Sequence, residues 1–152
     1  MITNSRCRLL LDVAVCVMLA GTIGCGSSPP EPGRMPTYPV TGEVIVDGQP
    51  ADELEVTCHE VKSMGSEAPL KLTANTDHQG KFHVSTYAPG DGVPEGEFAV
   101  TFLWGKLNVI STRYEGPDRL NDRYSNPTES KVKFTSSKGK QVNLGKIELT
   151  TK

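Results

Sequence analysis

From Val40 onward, short apolar runs alternate with turn residues, and the spacing inside each run is two. Val40-Thr41-Gly42-Glu43-Val44-Ile45-Val46 places apolar side chains at every second position, and Asp47-Gly48 behind it supplies a hairpin turn. Leu54, Val56 and Cys58 keep that period in the second run, Leu70, Leu72 and Ala74 in the third, and Phe82, Val84 and Thr86 in the fourth. The fifth run is the most apolar, with Phe98, Val100, Phe102 and Trp104 lining one face. Val132 and Phe134 mark a sixth, closed by the turn Ser136-Ser137-Lys138-Gly139. In the seventh, Val142 and Leu144 give way to Ile147 and Leu149, and that change of parity predicts a bulge near Gly145.

Because strand side chains alternate between faces, these runs read as strands with one buried face. Seven short strands punctuated by Gly, Pro and Asp predict an all-β domain over residues 40–152, a seven-stranded antiparallel β-sandwich. Its core is expected to bring Phe98, Val100, Phe102 and Trp104 against Val44, Val56, Phe82 and Val84. No stretch carries a helical period. Asp118–Tyr124 offers at most a turn or two within the long connection of residues 105–130.

Composition narrows the picture. A chain of 152 residues fits one domain, and 15 Gly with 11 Pro favour turns over long helices. A net charge of −2, without clustered Lys and Arg, lacks the electrostatic footprint of a nucleic-acid binder.

The N-terminus has a different character. Arg6 and Arg8 precede an apolar run from Leu9 to Ala20, and small residues lead to Gly24-Cys25, the three-part layout of a secretory signal peptide. A spanning helix needs ~20 predominantly apolar residues; Leu9–Ile23, interrupted by Asp12, falls short. Thr22-Ile23-Gly24-Cys25 resembles the lipobox of bacterial lipoproteins, which implies cleavage after residue 24 and acylation of Cys25. Residues 25–39 carry five prolines between Gly26 and Pro39 and read as an extended tether. Loss of residues 1–24 leaves 14 basic and 17 acidic residues, a net of −3, so attachment to the membrane falls to the lipid on Cys25. Gly26 stands where inner-membrane lipoproteins carry Asp, a resemblance that points to the outer membrane, facing the periplasm. The mature chain then has Cys58 as its one unmodified thiol and forms no internal disulfide. Alternation with Leu54 and Val56 places Cys58 inside.

Candidate chemistry is sparse. Thr76-Asp77-His78-Gln79-Gly80-Lys81-Phe82-His83-Val84 reads either as the start of a metal site or as a tight turn with a strand leaving it. Zinc needs three or four convergent ligands. His59, His78 and His83 lack any spacing that would bring them together, so the turn is preferred and no metal or cofactor is expected. Asp118 and Asp122 form an acidic pair that would suit hydrolysis, but acidic loop residues more often cap or are solvated. Gly90-Asp91-Gly92 lacks the strand-to-helix context of a phosphate loop and reads as a hairpin connection. No catalytic residue is expected, and the chain is not read as an enzyme.

Several segments in order carry a resemblance: Val40-Thr41-Gly42-Glu43-Val44, Asp47-Gly48-Gln49-Pro50, Asp77 with Gly80-Lys81-Phe82, and Pro94-Glu95-Gly96-Glu97-Phe98-Ala99-Val100. Together they resemble carboxypeptidase regulatory-like domains, which implies a transthyretin-like (prealbumin-like) sandwich over about residues 40–150. With the lipobox, Tyr87–Gly92 and Leu120–Pro127, the chain is similar to small exported lipoproteins of planctomycete bacteria. The resemblance implies a module without catalytic residues. In its D-x-x-G-x-F turn, Asp77 caps the backbone, Gly80 takes positive φ and Phe82 enters the core.

The expectation is a lipid-anchored cell-envelope β-sandwich with a non-catalytic binding or structural role. Its partners would be the membrane, through Cys25, and an envelope protein or polysaccharide. Trp104 is read as core, leaving Tyr114 and Tyr124 as candidate binding aromatics. A carbohydrate- or peptide-binding protein is the sharper form of this expectation. A hydrolase built on the 105–130 connection is the alternative from another class.

Overall fold

A computed structural model describes residues 33–63, 69–108, 110 and 113–152. The expected signal peptide at 1–24, the lipidation candidate Cys25 and the expected tether up to residue 32 lie outside the described residues.

The described chain is all-β. Its strands are β1 (Val40–Val46), β2 (Gln49–Pro50), β3 (Glu55–Ser63), β4 (Lys71–Asn75), β5 (Lys81–His83), β6 (Gly96–Leu103), β7 (Lys106–Asn108), β8 (Arg113–Glu115), β9 (Lys133–Ser136) and β10 (Val142–Leu149). One four-stranded sheet runs β10-β1-β2, with β5 also pairing β1. A second runs β4-β3-β6-β9, and β7 pairs β8 in a separate hairpin. Each of the seven apolar runs contributes a strand, but the expected count of seven is corrected by β2, β7 and β8. These have two or three residues each, too few to show a period. The purely antiparallel expectation is also corrected, because β1 and β10 are parallel. The segment Asp118–Tyr124 folds as turns, not helix.

Both sheets contribute to one core. Val44, Val46, Phe82, Ile147 and Leu149 from the first sheet cluster with Val56, Cys58, Phe98, Val100 and Phe102 from the second. Leu120, fully buried, plugs the same cluster from the long connection. Burying a side chain of this size is worth ~1.5–3 kcal/mol, so the core is the main term holding the sheets together. Ala99 and Thr101, on the opposite face of β6 from Val100, are buried as well. That central strand is thus covered on both faces.

Turn chemistry fixes the registers. Asp47 and Gly48 both take positive φ, and Val46 faces Gln49 across this two-residue turn. Between Thr41 and Glu43 the partner strand advances from Asn143 to Lys146, placing one extra residue beside Gly145, whose φ is +66°. The parity change along β10 is therefore a bulge.

The registers also give the sheets two ends. At one end lie the starts of β1, β6 and β10, with Tyr38 bridged to Val93 and Pro39 accepting the Val142 N–H. The chain enters here from residue 33, so the last part of the expected tether is joined to the domain. At the other end lie the Asp47-Gly48 turn, residues 51–54, the 76–80 turn and the exit of β6 at Leu103.

Candidate functional site

The turn at Asp52-Glu53 ties together the end remote from chain entry. Glu53 sits at φ +53°, a left-handed conformation that costs a non-glycine residue of order 1–3 kcal/mol. Its backbone is held from both sides: its N–H donates to Thr76 O at 3.1 Å, and its carbonyl accepts the Tyr114 hydroxyl at 2.7 Å. The buried Thr76 hydroxyl accepts the Leu54 N–H at 2.8 Å, stitching the same two turns. One residue earlier, the Asp52 carbonyl accepts the Trp104 indole N–H at 3.0 Å, and Asp52 Oδ2 lies 2.6 Å from His78 Nδ1.

Trp104 packs against the core as expected, but only in part. It follows the last residue of β6, is half-buried against the core, and needs a hydrogen-bond acceptor that the core lacks. The Arg119 guanidinium lies 4.8 Å from the centre of its ring, in cation–π geometry. Arg119 is held there by the turn around it. Its own N–H donates to Trp104 O, and the Asp118 carboxylate accepts the N–H groups of Trp104, Leu120 and Asp122 at 2.9–3.0 Å. Asp118 thus works as a cap, and nothing in the geometry joins it to Asp122 as an acid–base pair.

Tyr114 and Tyr124 serve separate junctions. Tyr114 packs on Gly105, where an added Cβ would stand 3.3 Å from the tyrosine side chain, and its hydroxyl is 3.2 Å from Asn75 Oδ1. Burial, then Glu55 and Glu53, push its pKa up to about 12. Tyr124 meets Phe102 edge-on at 6.5 Å and accepts the Thr150 N–H. Beside it Arg123 donates to the carbonyls of Thr150 and Lys152, fastening the C-terminal residues. A cleft of about 340 Å³ opens next to this junction, between β6 and β10. Val100, Phe102, Ile147 and Leu149, each at most 7% exposed, form its floor, and Arg123, Tyr124, Glu129 and Lys131 are among the residues around them.

The histidines are dispersed. His78 pairs with Asp52, and that hydrogen bond raises its pKa. His59, pushed below its ordinary value by burial and then by Lys71, lies 2.8 Å from Thr101 Oγ1 across β3 and β6. His83 is exposed on β5. Among the described residues no three His, Cys, Asp or Glu side chains group as metal ligands do. Asp77 Oδ1 accepts the N–H groups of Gln79 and Lys81, and Gly80 has φ +75°, so TDHQGKFHV is a capped turn feeding β5. Asp91 does similar work at the other end, accepting the N–H groups of Thr86, Tyr87 and Ala88. Cys58 is fully buried, and desolvation pushes its thiol up to about 12.

Sequence reasoning missed Arg119, Asp52, Asn75 and the role of Glu53. The one available signal was Arg119 following a capping Asp in a long connection, which is weak by itself.

No family model matches the chain, and no curated protein matches it. Among solved structures, it is similar to a 9R-lipoxygenase from Cyanothece PCC8801 at 13% identity and TM-score 0.38, over 96% of this chain and 21% of that one. It is similar to a DUF3823 family protein from Parabacteroides merdae ATCC 43184 at 13% identity and TM-score 0.37, over 77% and 46% of the two chains. An (S)-allantoin synthase is similar at 13% identity and TM-score 0.41, over 76% and 41%. The chain thus spans less than half the length of each. With TM-scores below 0.5, these likenesses assign neither a family nor an activity to it.

Proposed function

We propose that the protein is a lipid-anchored module of the cell envelope, attached through Cys25, with a non-catalytic binding role served by the loops at the end of the sheets remote from chain entry. The supporting sequence features are the positive start, the apolar run and the Gly24-Cys25 ending. Its fold is then a transthyretin-like sandwich of the carboxypeptidase regulatory-like kind, with the ordered motifs from Val40 to Val100 as support.

One observation carries the binding role. Chain entry at Gly33–Pro39 and the Trp104–Arg119–Tyr114 cluster lie at opposite ends of the same sheets. With attachment upstream of Gly33, the remote end is the one that chain entry leaves clear for a partner. The non-glycine residues at positive φ, Asp47, Glu53, Asn121 and Asp122, also lie toward that remote end. Asp and Asn tolerate this conformation through local hydrogen bonds, whereas Glu53 does not, and backbone held off its preferred conformation gathers at binding sites.

Mass spectrometry of the mature N-terminus tests the anchor, with a diacylglyceryl adduct on Cys25 as the expected result. The Cys25→Ser variant should move from the outer-membrane fraction to the soluble fraction. A mature chain that starts elsewhere and carries no lipid would overturn the anchor.

A further inference from the structure

Trp104 with Arg119 over its ring, and Tyr114 on the adjoining Gly105, form a shelf beside Asp52, Asn75 and His78. We infer that this shelf is a binding site for a neutral oligosaccharide chain, an inference that rests on the remote end being the binding face.

The shelf combines the two things a sugar requires. At the exit of β6 the exposed parts of the half-buried Trp104 and Tyr114 side chains, with the Arg119 guanidinium over the Trp104 ring, give a mixed aromatic and cationic surface. Around it stand fixed polar groups of both kinds, matching hydroxyls that donate and accept. Arg119 is exposed, and among the described residues no carboxylate pairs with its guanidinium, so its N–H fork is available to a ligand. The carboxylate of Asp52 and the amide of Asn75 are acceptors, and His78 presents its Nε2 edge while Nδ1 is taken by Asp52.

These groups are positioned before any ligand arrives. Asp118 fixes the turn carrying Arg119 through three backbone N–H bonds, and buried Leu120 anchors it to the core. Tyr114 and Thr76 hold the strained Glu53, which sets the neighbouring Asp52. Side chains locked in this way lose little entropy on binding, and affinity gains accordingly.

Charge and topology select the ligand class. Glu53 and Glu55 act on Tyr114, and Asp52, Asp77 and Glu53 on His78, and this acidic side of the shelf repels polyuronates and other polyanions. A peptide that recognises a sheet does so along a strand edge, through main-chain hydrogen bonds. This end presents turns instead, and its contacts are side-chain contacts, as a chain of hydroxyls needs.

Trp104 is the chain's one tryptophan, so its emission reports on the shelf directly. Full-length protein in detergent micelles is titrated with cellohexaose, mannohexaose and chitohexaose, with polygalacturonate and an oligolysine peptide as contrasting probes. Calorimetry runs in parallel. At least one neutral hexasaccharide should give a saturable emission change, weakened about tenfold or more in Arg119→Ala and unaltered in Lys138→Ala at the opposite end. Matching melting temperatures establish that Arg119→Ala is folded; if it is not, Arg119→Lys, which keeps the charge and loses the fork, takes its place with the same expectation. Silence toward all three neutral sugars, a response confined to polygalacturonate or oligolysine, or binding indifferent to both Arg119 variants would each overturn the inference. Lipid on Cys25 together with silence would refute the sugar site while leaving the anchored module standing.

Discussion

The ring of Phe82 occupies the space that a side chain at Gly42 would take. The two residues are paired across β1 and β5, and a Cβ built on Gly42 would stand 2.7 Å from the Cε1 and Cζ atoms of the ring. Phe82 is 1% exposed, so the ring has no free volume to enter. Gly42→Ala should therefore destabilise the domain by ~1–3 kcal/mol through overpacking. Phe82→Leu removes both clashing atoms and should cost less in the Gly42→Ala background than in wild type. Urea denaturation of the four proteins of this cycle measures the coupling. Additive effects would mean that the ring does not lie over Gly42.

Gly80 is constrained from two directions. Its φ of +75° is strained for any residue with a side chain, and an added Cβ would meet Val44 O at 2.5 Å. That carbonyl accepts the Ala51 N–H, while Val44 N–H donates to Gly80 O. Strain of ~1–3 kcal/mol and a clash of similar size make Gly80→Val costly, at ~3 kcal/mol or more. The double change His78→Ala with His83→Ala alters exposed side chains and should lower the melting temperature much less. A metal site would reverse this order and make the melt sensitive to EDTA.

What was legible in the sequence was local. Asp77, Gly80 and Phe82 announce a capped turn because Asp accepts nearby N–H groups and Gly tolerates positive φ, and both effects act within a few residues. Asp47-Gly48 and the Gly145 bulge are readable for the same reason. The parallel pairing of β1 with β10 has no local signature, since it joins the two ends of the domain. Trp104 shows where periodicity stops: the two-residue period rightly puts it against the core, but β6 ends at Leu103, and nothing local shows that the indole N–H finds the Asp52 carbonyl 52 positions away. The His78–Asp52 pair spans 26 positions and the Tyr114–Glu53 bond 61, distances over which spacing says nothing.

Cys58 should be unreactive in the folded protein. It is fully buried in β3, and burial pushes its pKa up to about 12, leaving almost no thiolate at neutral pH. Iodoacetamide labelling in the native state should be slow and should accelerate with urea along the unfolding curve. Prompt stoichiometric labelling without denaturant would contradict the placement of this strand face.

Tyr114→Phe isolates one hydroxyl. It removes the bond to the Glu53 carbonyl and keeps the ring on Gly105. A net loss of ~0.5–1.5 kcal/mol is expected for a single hydrogen bond. In the Glu53→Gly background, where positive φ is unstrained, the same change should cost less. Equal losses in the two backgrounds would show that Tyr114 does not brace the strained turn.

Two histidines tilt the pH profile in opposite directions. The hydrogen bond to Asp52 raises His78 above its ordinary value near 6.5. Burial, then Lys71, lowers His59 below it. The raised group contributes stability that is fully present below 6.5 and is lost as pH climbs through its folded-state value. The lowered group does the reverse: its contribution is complete above 6.5 and is lost as pH falls through its folded-state value. The melting temperature should thus show a shallow maximum near pH 6.5. His78→Gln should flatten the alkaline flank and leave the acidic flank in place, whereas His59→Gln should flatten the acidic flank alone. Both flanks lie above the window where Asp47 and Asp77, held below the ordinary carboxylate value by hydrogen bonds, take up protons. Thermal melts at half-unit steps from pH 5 to pH 8.5 resolve the flanks, and a His78→Gln profile that still falls on the alkaline side as wild type does would rule out the Asp52 pairing as its cause.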